Sequence, residues 1–582
     1  MSRGLIAERT RLSLFVLRRA LRTFGGRMNG HPLLRWRFAY ARPDRLLIAP
    51  QDLRTADFTR ASEIYAGRFA FAGKIVTCDA RSPFEMTPPS AEWAEGLLGF
   101  SWLRHLRAAE SAITRSNARA LVDDWITVQG AWDAVAWRPE IVARRIVSWL
   151  THAPFLLHDA DMRFYRRFMR SLTQQVRYLR RTTGDMRDGL PRLQGILALN
   201  FAALCMAGQL RLLKSGTRKL VDELNRQVLP DGGHLSRNPG ALIDLLLDLL
   251  PLRQAFGARN IPPPQPLINA VDRMMPMLRF FRHGNGAFAN FNGMGPTPLD
   301  LLATILAYDD ARGRPVNNAA HSGYQRLEGG GSVLIMDSGA PPPMATSHEA
   351  HAGCLAFEFS TQSQRIIVNC GLPGTSRDSW RHLSRTTAAH STATLNENSS
   401  CRFFVSGSLP RLVGQPILDG PERVILEREE DGNGTTVRAV HDGYAARFGM
   451  VHERLISLSL DGKRLDGEDG ILPAAGDNYP ARIPDRYALR FHLHPTIRAN
   501  RLTHRRGIML TLPNREVWSF VAQSPMELEE SVYLAGTDGP RHTVQIVIHG
   551  NAREAPRQAW TLIQVSDPHS RSRVGEEAEL PL

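Results

Sequence analysis

The spacing of apolar residues changes once along this chain, and that change constrains the fold more than any other feature. Between about residues 91 and 320, large apolar residues recur every three or four positions, as in Trp93, Leu97 and Phe100. This period predicts amphipathic helices. After residues 329–331, short runs rich in β-branched residues alternate with Asp-Gly and Pro turns, which is typical of antiparallel strands. The sequence therefore predicts an α + β multidomain protein, with a helical domain followed by an antiparallel β-sandwich.

The length of 582 residues exceeds what one hydrophobic core usually organises, so we expect several domains. We predict a basic, partly helical N-terminal extension at 1–90, a helical domain at 91–320, a β-sandwich at 325–566 and a disordered tail at 567–582. Separate helices are expected at 190–213 and 217–229. A basic amphipathic helix is expected at 11–24, where it would lie on a surface or pack into a core.

The charge balance favours an anionic partner. There are 72 Lys and Arg against 57 Asp and Glu, which gives a net charge of +15. A basic surface suits acidic polysaccharide, nucleic acid or anionic lipid. The alternative is that a high-GC genome, which favours Arg over Lys, accounts for the excess of arginine. No nucleic-acid-binding module is recognisable, so we predict no nucleic-acid partner.

Other compositional features exclude several classes of protein. Five cysteines are scattered without a C-x-x-C pair, which argues against a disulfide framework and a zinc-thiolate site. No apolar run approaches the roughly 20 residues of a membrane-spanning helix, so no transmembrane segment is expected. The N-terminus shows no convincing signal-peptide cleavage site. The oligomeric state is not predictable from the sequence.

One stretch, residues 347–402, concentrates polar residues around two apolar runs. The runs at 355–359 and 365–370 fit half-buried strands joined by a polar turn. His351 precedes the first strand, and Arg385 and His390 follow the second. A β-scaffold that brings imidazole and guanidinium groups to one rim could hold an anionic substrate and transfer a proton.

These motifs resemble those of the heparinase II/III family of polysaccharide lyases. The family shows a His-rich turn before an apolar strand, a Trp-Arg segment and an R-x-T-x-x-H-(N/S)-T element, which here contain His351, Trp380 and Arg385. The resemblance implies an incomplete α/α toroid for the helical half. It also implies a lyase that cleaves an acidic, uronate-containing, glycosaminoglycan-like glycan by β-elimination in a cleft between the helical and β domains. The implied location is the cell envelope or periplasm, although the missing signal peptide leaves a cytoplasmic location open.

β-Elimination requires three chemical functions. A cationic or hydrogen-bonding group neutralises the uronate carboxylate, a base removes the neighbouring proton, and a donor protonates the leaving oxygen. In the resembled family an Asn-His pair, a Tyr-His pair and sandwich histidines supply these functions. Here Gly195 and Ile196 occupy the Asn-His positions, and Ala241 and Leu242 occupy the Tyr-His positions. Either other residues carry the acid-base work in this chain, or it does not cleave by the family's route.

The remaining polar residues define a candidate site. His234 follows Asp231 and two glycines in a loop just before a helix N-terminus, where an anion is favoured. We predict His234, His351 and His390 as catalytic residues.

Arg237, Asn238 and Arg385 are the predicted substrate-binding residues. Each has a structural alternative. His234 could cap the following helix, the two sandwich histidines could be buried in the fold, and the two arginines could form internal ion pairs.

A metal site is a weaker hypothesis. His492 and His494 lie on one face of a predicted strand, and some members of the resembled family hold a structural zinc in the sandwich. No other cofactor is expected. The leading functional hypothesis is an acidic-polysaccharide lyase. The alternative is a non-catalytic glycan-binding or cell-envelope protein that kept the fold and lost the catalytic Asn and Tyr.

Overall fold

The computed structural model describes residues 13–14, 16–17, 45–79, 81–130, 133–309, 313, 315–374, 378–405, 414–476, 479, 485–502 and 507–566. Most of the predicted helix at 11–24 and all of the predicted tail at 567–582 lie outside these residues. The described chain forms two compact units. The first contains the described parts of Met1–Val228, Ile243–Met275 and Asp300–Arg312, and the second contains those of Leu229–Leu242, Pro276–Leu299 and Gly313–Leu582.

Helices dominate the chain from residue 45 to residue 313, together with one hairpin of Arg68–Phe71 (β1) and Lys74–Thr77 (β2). The α-helices of this region are α1 Phe58–Tyr65, α2 Ala91–Leu98, α3 Leu103–Ala108, α4 Ala112–Val128, α5 Pro139–Thr151, α6 Ala153–Leu157, α7 Met162–Thr182, α8 Leu190–Cys205, α9 Leu210–Gln227, α10 Gly240–Ala258, α11 Gln265–Phe280 and α12 Leu299–Leu306. The predicted C-terminal end of the helix at 190–213 was wrong. The chain leaves α8 after Cys205, and Gly208 adopts a left-handed φ of 76° before α9 begins.

The first unit is built around buried aromatic rings. Phe100 contacts Trp102, Trp125 and Trp149, with ring centroids 5.1 to 5.8 Å apart, and all four side chains are buried. The guanidinium of Arg145 lies 4.1 Å from the centroid of Trp125. Burial lowers the pKa of Arg145 to about 9. These tryptophans pack in the core, where edge-to-face contacts add to the burial of their large apolar surface.

The second unit consists mainly of antiparallel strands. Its strands are β3 Asn318–Ala319, β4 Tyr324–Gly329, β5 Ser332–Asp337, β6 Phe357–Thr361, β7 Gln364–Val368, β8 Ala393–Leu395, β9 Arg402–Phe403, β10 Ile417–Asp419, β11 Val424–Glu430, β12 Gly434–His441, β13 Met450–Ser459, β14 Arg464–Pro473, β15 Arg486–Leu493, β16 Arg498–Arg501, β17 Gly507–Thr511, β18 Val517–Ala522, β19 Met526–Tyr533, β20 Arg541–Asn551 and β21 Arg557–Ser566. Two short helices, Asp378–Leu383 (α13) and Ala445–Phe448 (α14), interrupt them.

These strands form two large sheets. The eight-stranded sheet has the order β11-β12-β13-β14-β21-β18-β17-β16. The nine-stranded sheet has the order β19-β20-β15-β7-β6-β5-β4-β3, and β8 pairs with β15. One hydrophobic core contains residues of both sheets. Phe357 of β6 stacks on Trp560 of β21 at 5.7 Å, so aromatic packing links the sheets.

The coarse prediction of a helical N-terminal region and a sheet-rich C-terminal region is confirmed. The first run predicted at 355–359 begins as a strand only at Phe357, because Leu355 adopts a left-handed φ of 61°. The second run, predicted at 365–370, is the strand Gln364–Val368. Within the described residues, no helix combines the length and apolar character needed to traverse a bilayer.

Candidate functional site

The candidate residues lie in the second unit, on the loop before α10 and on the turns that flank β6 and β7. Asp231 fixes the loop, because one carboxylate oxygen accepts a hydrogen bond from the backbone N–H of Gly233 and the other accepts bonds from Ser322. Gly232 has a φ of 89°, a conformation that glycine adopts without strain. The D-G-G sequence therefore sets the path of the chain into Arg237.

Arg237 is buried and uses its whole guanidinium on protein acceptors. Its Nε donates to the carbonyl of Ser322 at 2.8 Å, and its Nη2 donates to Asp337 at 2.5 Å. The remaining donors contact the carbonyls of Gly323, Gly339 and Ala340 at 2.9 to 3.0 Å. Because a guanidinium has five N–H groups, none is left for a substrate carboxylate.

The charge of Arg237 is fixed by its surroundings. Burial opposes the charged form, but the Asp337 carboxylate outweighs burial and holds the pKa of Arg237 above its ordinary value. The guanidinium also lies 4.8 Å from the ring centroid of Tyr324. This geometry is that of an internal ion pair that anchors the loop to β5, rather than that of an exposed carboxylate clamp.

His351 and His390 contact each other directly. Nδ1 of His351 lies 2.9 Å from Nε2 of His390, and Nδ1 of His390 lies 2.7 Å from the carbonyl oxygen of Thr386. A carbonyl only accepts hydrogen bonds, so Nδ1 of His390 carries a proton. When His390 is neutral, its Nε2 is an acceptor and His351 must donate from Nδ1. Nε2 of His351 is then unprotonated. This atom is buried and has no hydrogen-bond partner among the described residues.

Burial keeps both imidazoles neutral. It lowers the pKa of His390 to about 4, and it lowers the pKa of His351 well below the ordinary value, with a further contribution from His390. His351 is 3% exposed and His390 is 0% exposed, so the unprotonated Nε2 of His351 is enclosed. A general base must reach the proton that it removes.

Asn292 joins the arginine and the histidine pair into one hydrogen-bond network. Its Oδ1 accepts from the backbone N–H of His351 at 3.1 Å, and its Nδ2 donates to Asp337 at 3.0 Å and to the hydroxyl of Tyr324 at 2.7 Å. The Tyr324 hydroxyl donates in turn to the carbonyl of Arg237 at 2.6 Å. We call these residues, Arg237, Asn292, Tyr324, Asp337, His351 and His390, the Asn292 network.

The network unites residues that the sequence reasoning grouped and residues that it missed. Arg237, His351 and His390 were predicted, whereas Asn292, Tyr324 and Asp337 were not. Asp337 is a charged residue at the end of the buried strand β5, and such a residue requires a partner when it is buried. This rule could have identified Asp337 from the sequence as a residue in need of a buried partner. Nothing in the sequence pointed to Asn292.

The other predicted residues have separate surroundings. His234 is buried, and its Nδ1 accepts from the backbone N–H of Ser236 at 3.2 Å. Asn238 is half-buried. It accepts from the N–H of Gly240 through Oδ1, and its Nδ2 lies 3.5 Å from Glu349. Asn238 therefore caps the start of α10 and is the most accessible member of the predicted set.

Arg385 holds a turn together. Its guanidinium donates to the carbonyls of Ser347, Ala350 and Gln415 at 2.8 to 2.9 Å and stacks 4.5 Å from the ring of Phe403. The residue is 2% exposed, and burial lowers its pKa to about 10. This environment matches the structural alternative for Arg385, while its assignment as a substrate contact stays a prediction.

The positions at which catalytic groups were missing are buried. Ile196, Ala241 and Leu242 are each at most 2% exposed. A Cβ at Gly195 would lie 2.4 Å from the sulfur of Met186. No side chain at these four positions can donate or accept a proton.

The two histidines proposed for a metal have different environments. His492 is buried, with Nδ1 2.7 Å from the hydroxyl of Ser531 and Nε2 3.0 Å from the carbonyl of Ala388, so both ring nitrogens contact protein atoms. His494 is partly exposed, with Nδ1 2.8 Å from the hydroxyl of Thr496. Elsewhere in the described chain, Glu527, Glu529 and His549 cluster at the surface, and His549 lies 3.1 Å from Glu529. Such surface clusters are common without a metal.

A helical N-terminal region followed by a sheet-rich C-terminal region matches the fold of the heparinase-type polysaccharide lyases. Heparinase III superposes with a TM-score of 0.69 at 14% identity, over 93% of this chain and 90% of that structure. A heparan sulfate lyase HepC mutant from Pedobacter heparinus gives a TM-score of 0.61 at 15% identity, over 92% of this chain and 87% of that one. At these identities the likeness concerns the fold alone.

Two sequence comparisons identify the family. The model of the heparinase II/III-like C-terminal domain matches residues 311–561. FtsZ-localized protein C of Caulobacter vibrioides is 34% identical over 490 residues, which are 83% of this chain and 84% of that protein. The chain therefore belongs to the heparinase II/III family, as the motifs around His351 and Arg385 predicted.

Proposed function

We propose that this protein binds an acidic glycan without cleaving it and that it localises with FtsZ in the cell. In this proposal the helical half is an incomplete α/α toroid and the sheet-rich half an antiparallel sandwich, as in the lyases of the family. The observation that carries the proposal is the loss of acid-base groups. Gly195, Ile196, Ala241 and Leu242 stand where the family has its Asn-His and Tyr-His pairs.

The surviving polar residues do not replace what is missing. Arg237 spends all of its donors on protein acceptors, so it cannot neutralise a uronate carboxylate. The lone pair on Nε2 of His351 has no access to solvent. β-Elimination needs a neutralising group and an accessible base together, and this arrangement supports a fold retained for binding.

The relative supports the cellular part of the proposal. FtsZ-localized protein C is named for its position in the cell, and it shares 34% of residues over most of both chains. We propose that this chain takes up the same position. The envelope or periplasmic location implied by the resemblance stays a prediction, and protease treatment of intact cells and spheroplasts that carry a tagged full-length protein tests it.

The basic charge supports a polyanionic partner. Arg163, Arg166 and Arg170 lie on the exposed side of α7, while Phe164 and Phe168 of the same helix are buried. Guanidinium groups bind carboxylate and sulfate in a two-pronged geometry. An acidic glycan is the partner that combines this charge with the family's fold.

A lyase is the second candidate, and one observation favours it. The hydrogen-bond pattern assigns His351 a neutral form with an unprotonated Nε2, which is the protonation state of a general base. If the turn that carries His351 opened, this lone pair could accept a proton from a bound uronate. His234, His390, Asn238 and Arg385 would then be the remaining candidates for acid and binding groups.

Two measurements separate the candidates. Purified full-length protein is incubated with heparan sulfate, chondroitin sulfate and alginate, and ultraviolet absorbance reports the unsaturated product of β-elimination. Calorimetry measures binding on the same samples. Saturable binding without product supports the proposal. Product that disappears in His351→Ala but persists in His542→Ala, a surface histidine, overturns it in favour of the lyase.

The cellular part is tested separately. A fluorescent fusion expressed at native level is imaged together with labelled FtsZ, before and after FtsZ depletion. Coincidence that is lost on depletion supports the proposal. A distribution that is unrelated to FtsZ overturns this part of it while leaving the glycan-binding part to the measurements above.

A further inference from the structure

A cavity of about 200 Å³ lies in the sheet-rich unit, and no member of the Asn292 network lines it. Its polar lining includes Asn290, Arg365, His494, Tyr533 and Arg541. None of the described residues that line it is an aspartate or a glutamate. We call it the Tyr533 pocket. Neither the resemblance nor the proposed function assigns a role to it.

The back of the pocket is a buried ion pair. Arg365 donates from Nη2 to Glu358 and from Nη1 to the hydroxyl of Tyr533 at 2.9 Å. Glu358 also accepts from the N–H groups of Asn290 and Asn369 and contacts Nε2 of His283 at 3.2 Å. Burial alone would raise the pKa of Glu358, but Arg365 and the contact with His283 lower it to about 2. The carboxylate is thus ionised and saturated by donors.

Arg365 keeps donor capacity after these contacts. It is 4% exposed, and among the described residues only two of its five N–H groups have acceptors. Its Nε is buried without a partner in the described structure. A buried guanidinium with unused donors favours an anionic acceptor in the adjoining space.

The Tyr533 hydroxyl has one direction left for its proton. Its oxygen accepts from Arg365 Nη1 at 2.9 Å and from Asn290 Nδ2 at 3.4 Å, which uses both lone pairs. The O–H bond of Tyr533 has no acceptor among the described residues. Since Tyr533 lines the pocket, the hydroxyl can serve a bound acceptor there.

His494 adds a donor by the same reasoning. Its Nδ1 accepts from the backbone N–H of Thr496 at 3.4 Å, so the proton of the neutral ring is on Nε2. Burial, with the charge of Arg365, lowers the pKa of His494 to about 3, which keeps the ring neutral. Arg541 lies at the same cavity, half exposed, and pairs with Asp538 at 2.7 Å.

We propose that the Tyr533 pocket binds a small oxyanion, either the carboxylate of a sugar acid or a phosphate group. Donors from Arg365, Tyr533, His494 and Arg541 border one cavity, and its described lining contains no carboxylate that would repel the anion. Pro495, Leu299 and Ala535 supply apolar lining against which the body of the ligand would pack. This proposal does not depend on glycan binding or on the FtsZ position.

The test uses the full chain and two defined probes. Isothermal titration calorimetry with sodium glucuronate and with sodium phosphate, each against sodium chloride of equal ionic strength, measures saturable binding. Binding of glucuronate alone identifies the carboxylate as the ligand group, and binding of phosphate alone identifies phosphate. Binding of both probes shows that the pocket recognises the oxyanion group that they share.

Variants locate the binding. Tyr533→Phe removes one donor and Arg541→Ala removes one charge at an exposed position, and each is expected to weaken binding about tenfold. Tyr487→Phe and Arg553→Ala are the matched controls, since neither residue lines the pocket, and they are expected to bind as the unmodified chain does.

Circular dichroism and thermal unfolding confirm that each variant is folded. If neither probe binds saturably, or if Tyr533→Phe and Arg541→Ala both bind as tightly as the controls, the proposal is wrong. Arg541→Ala keeps the test decisive should Tyr533→Phe fail to fold, because that side chain is 51% exposed.

Discussion

Nδ1 of His351 lies 2.9 Å from Nε2 of His390, and the carbonyl of Thr386 fixes the proton on the far side of His390. These hydrogen bonds therefore set the tautomers of two histidines that are 39 positions apart in the sequence and lie in the sheet-rich unit. The pair is neutral because burial makes a charged imidazole unfavourable. The stability of this unit should therefore depend on pH.

We expect the free energy of unfolding to fall as the pH decreases from about 6.5 towards 4. The pKa of His390 is about 4 in the folded protein and about 6.5 in an unfolded chain, so the unfolded state binds more protons in this window. A group of this kind contributes stability that is complete above its unfolded pKa and is lost on acidification. Urea unfolding at a series of pH values from 7 to 5 measures the effect.

His390→Gln should reduce that pH dependence, because the variant has no imidazole to titrate at this position. One such group changes the free energy of unfolding by up to about 1.4 kcal/mol per pH unit within the window. His549→Gln is the control, since that imidazole is half exposed at the surface. An unchanged pH slope in His390→Gln would show that His390 is not kept neutral in the fold.

Arg237→Lys should destabilise the protein by about 3–5 kcal/mol. An ammonium has three donors, whereas Arg237 satisfies five acceptors from four residues of the chain and Asp337. A double-mutant cycle with Asp337→Asn should give a coupling energy above about 1 kcal/mol, because the two side chains form one buried ion pair. Additive effects in urea unfolding would contradict the pairing.

Asn292→Asp should destabilise the protein strongly at neutral pH and less at low pH. The substitution keeps the side-chain shape and places a carboxylate 3.0 Å from Asp337, where an amide donor now stands. Two buried carboxylates at that separation cannot both ionise, so one pKa rises and protonation relieves the repulsion. We expect a loss of about 3 kcal/mol or more at pH 7 in thermal or urea unfolding.

Asn285→Asp provides the comparison for that substitution. Asn285 is exposed, and its Oδ1 accepts from the N–H of Ala287, a bond that a carboxylate can also accept. Its effect should stay within about 0.5 kcal/mol. Equal effects of the two substitutions would mean that Asn292 does not bridge Asp337 and His351.

Gly195→Ala should lower the free energy of unfolding by about 1–3 kcal/mol, although alanine is the better helix former. The new Cβ would meet the sulfur of the buried Met186 at 2.4 Å. Gly257→Ala is the matched control within a helix, because no atom of the described residues lies within 4 Å of a Cβ placed there, and it should be neutral or slightly stabilising.

Met186→Ala should restore part of the loss in Gly195→Ala, since it removes the colliding sulfur. Thermal unfolding of the single and double variants gives the comparison. A stabilising Gly195→Ala would show that this helix has room for a side chain, and that the family's asparagine could be accommodated at the position.

The sequence was sufficient for the coarse fold and the family. Trp93 and Leu97 carry the helical period of α2, and the β-branched runs after residue 329 carry the strand pattern, because side-chain periodicity is a local property of the backbone. Phe100, which the same pattern placed in a helix, lies beyond the end of α2 with a φ of 58°. Boundaries were less well determined. One helix ends earlier than predicted, before Gly208, and one strand starts later than predicted, after Leu355, because both residues adopt a left-handed φ.

The sequence by itself determined which residue types are present: imidazoles at His351 and His390, a guanidinium at Arg237, and no acid-base group at Gly195 or Ala241. Only the tertiary structure decided what those groups can do. The acceptors that saturate Arg237 lie 85 to 103 positions away in sequence, and Asn292 joins His351 to Asp337 across 59 and 45 positions. The pKa and the free donors of a side chain depend on burial and on such distant partners, and neither is encoded in local spacing.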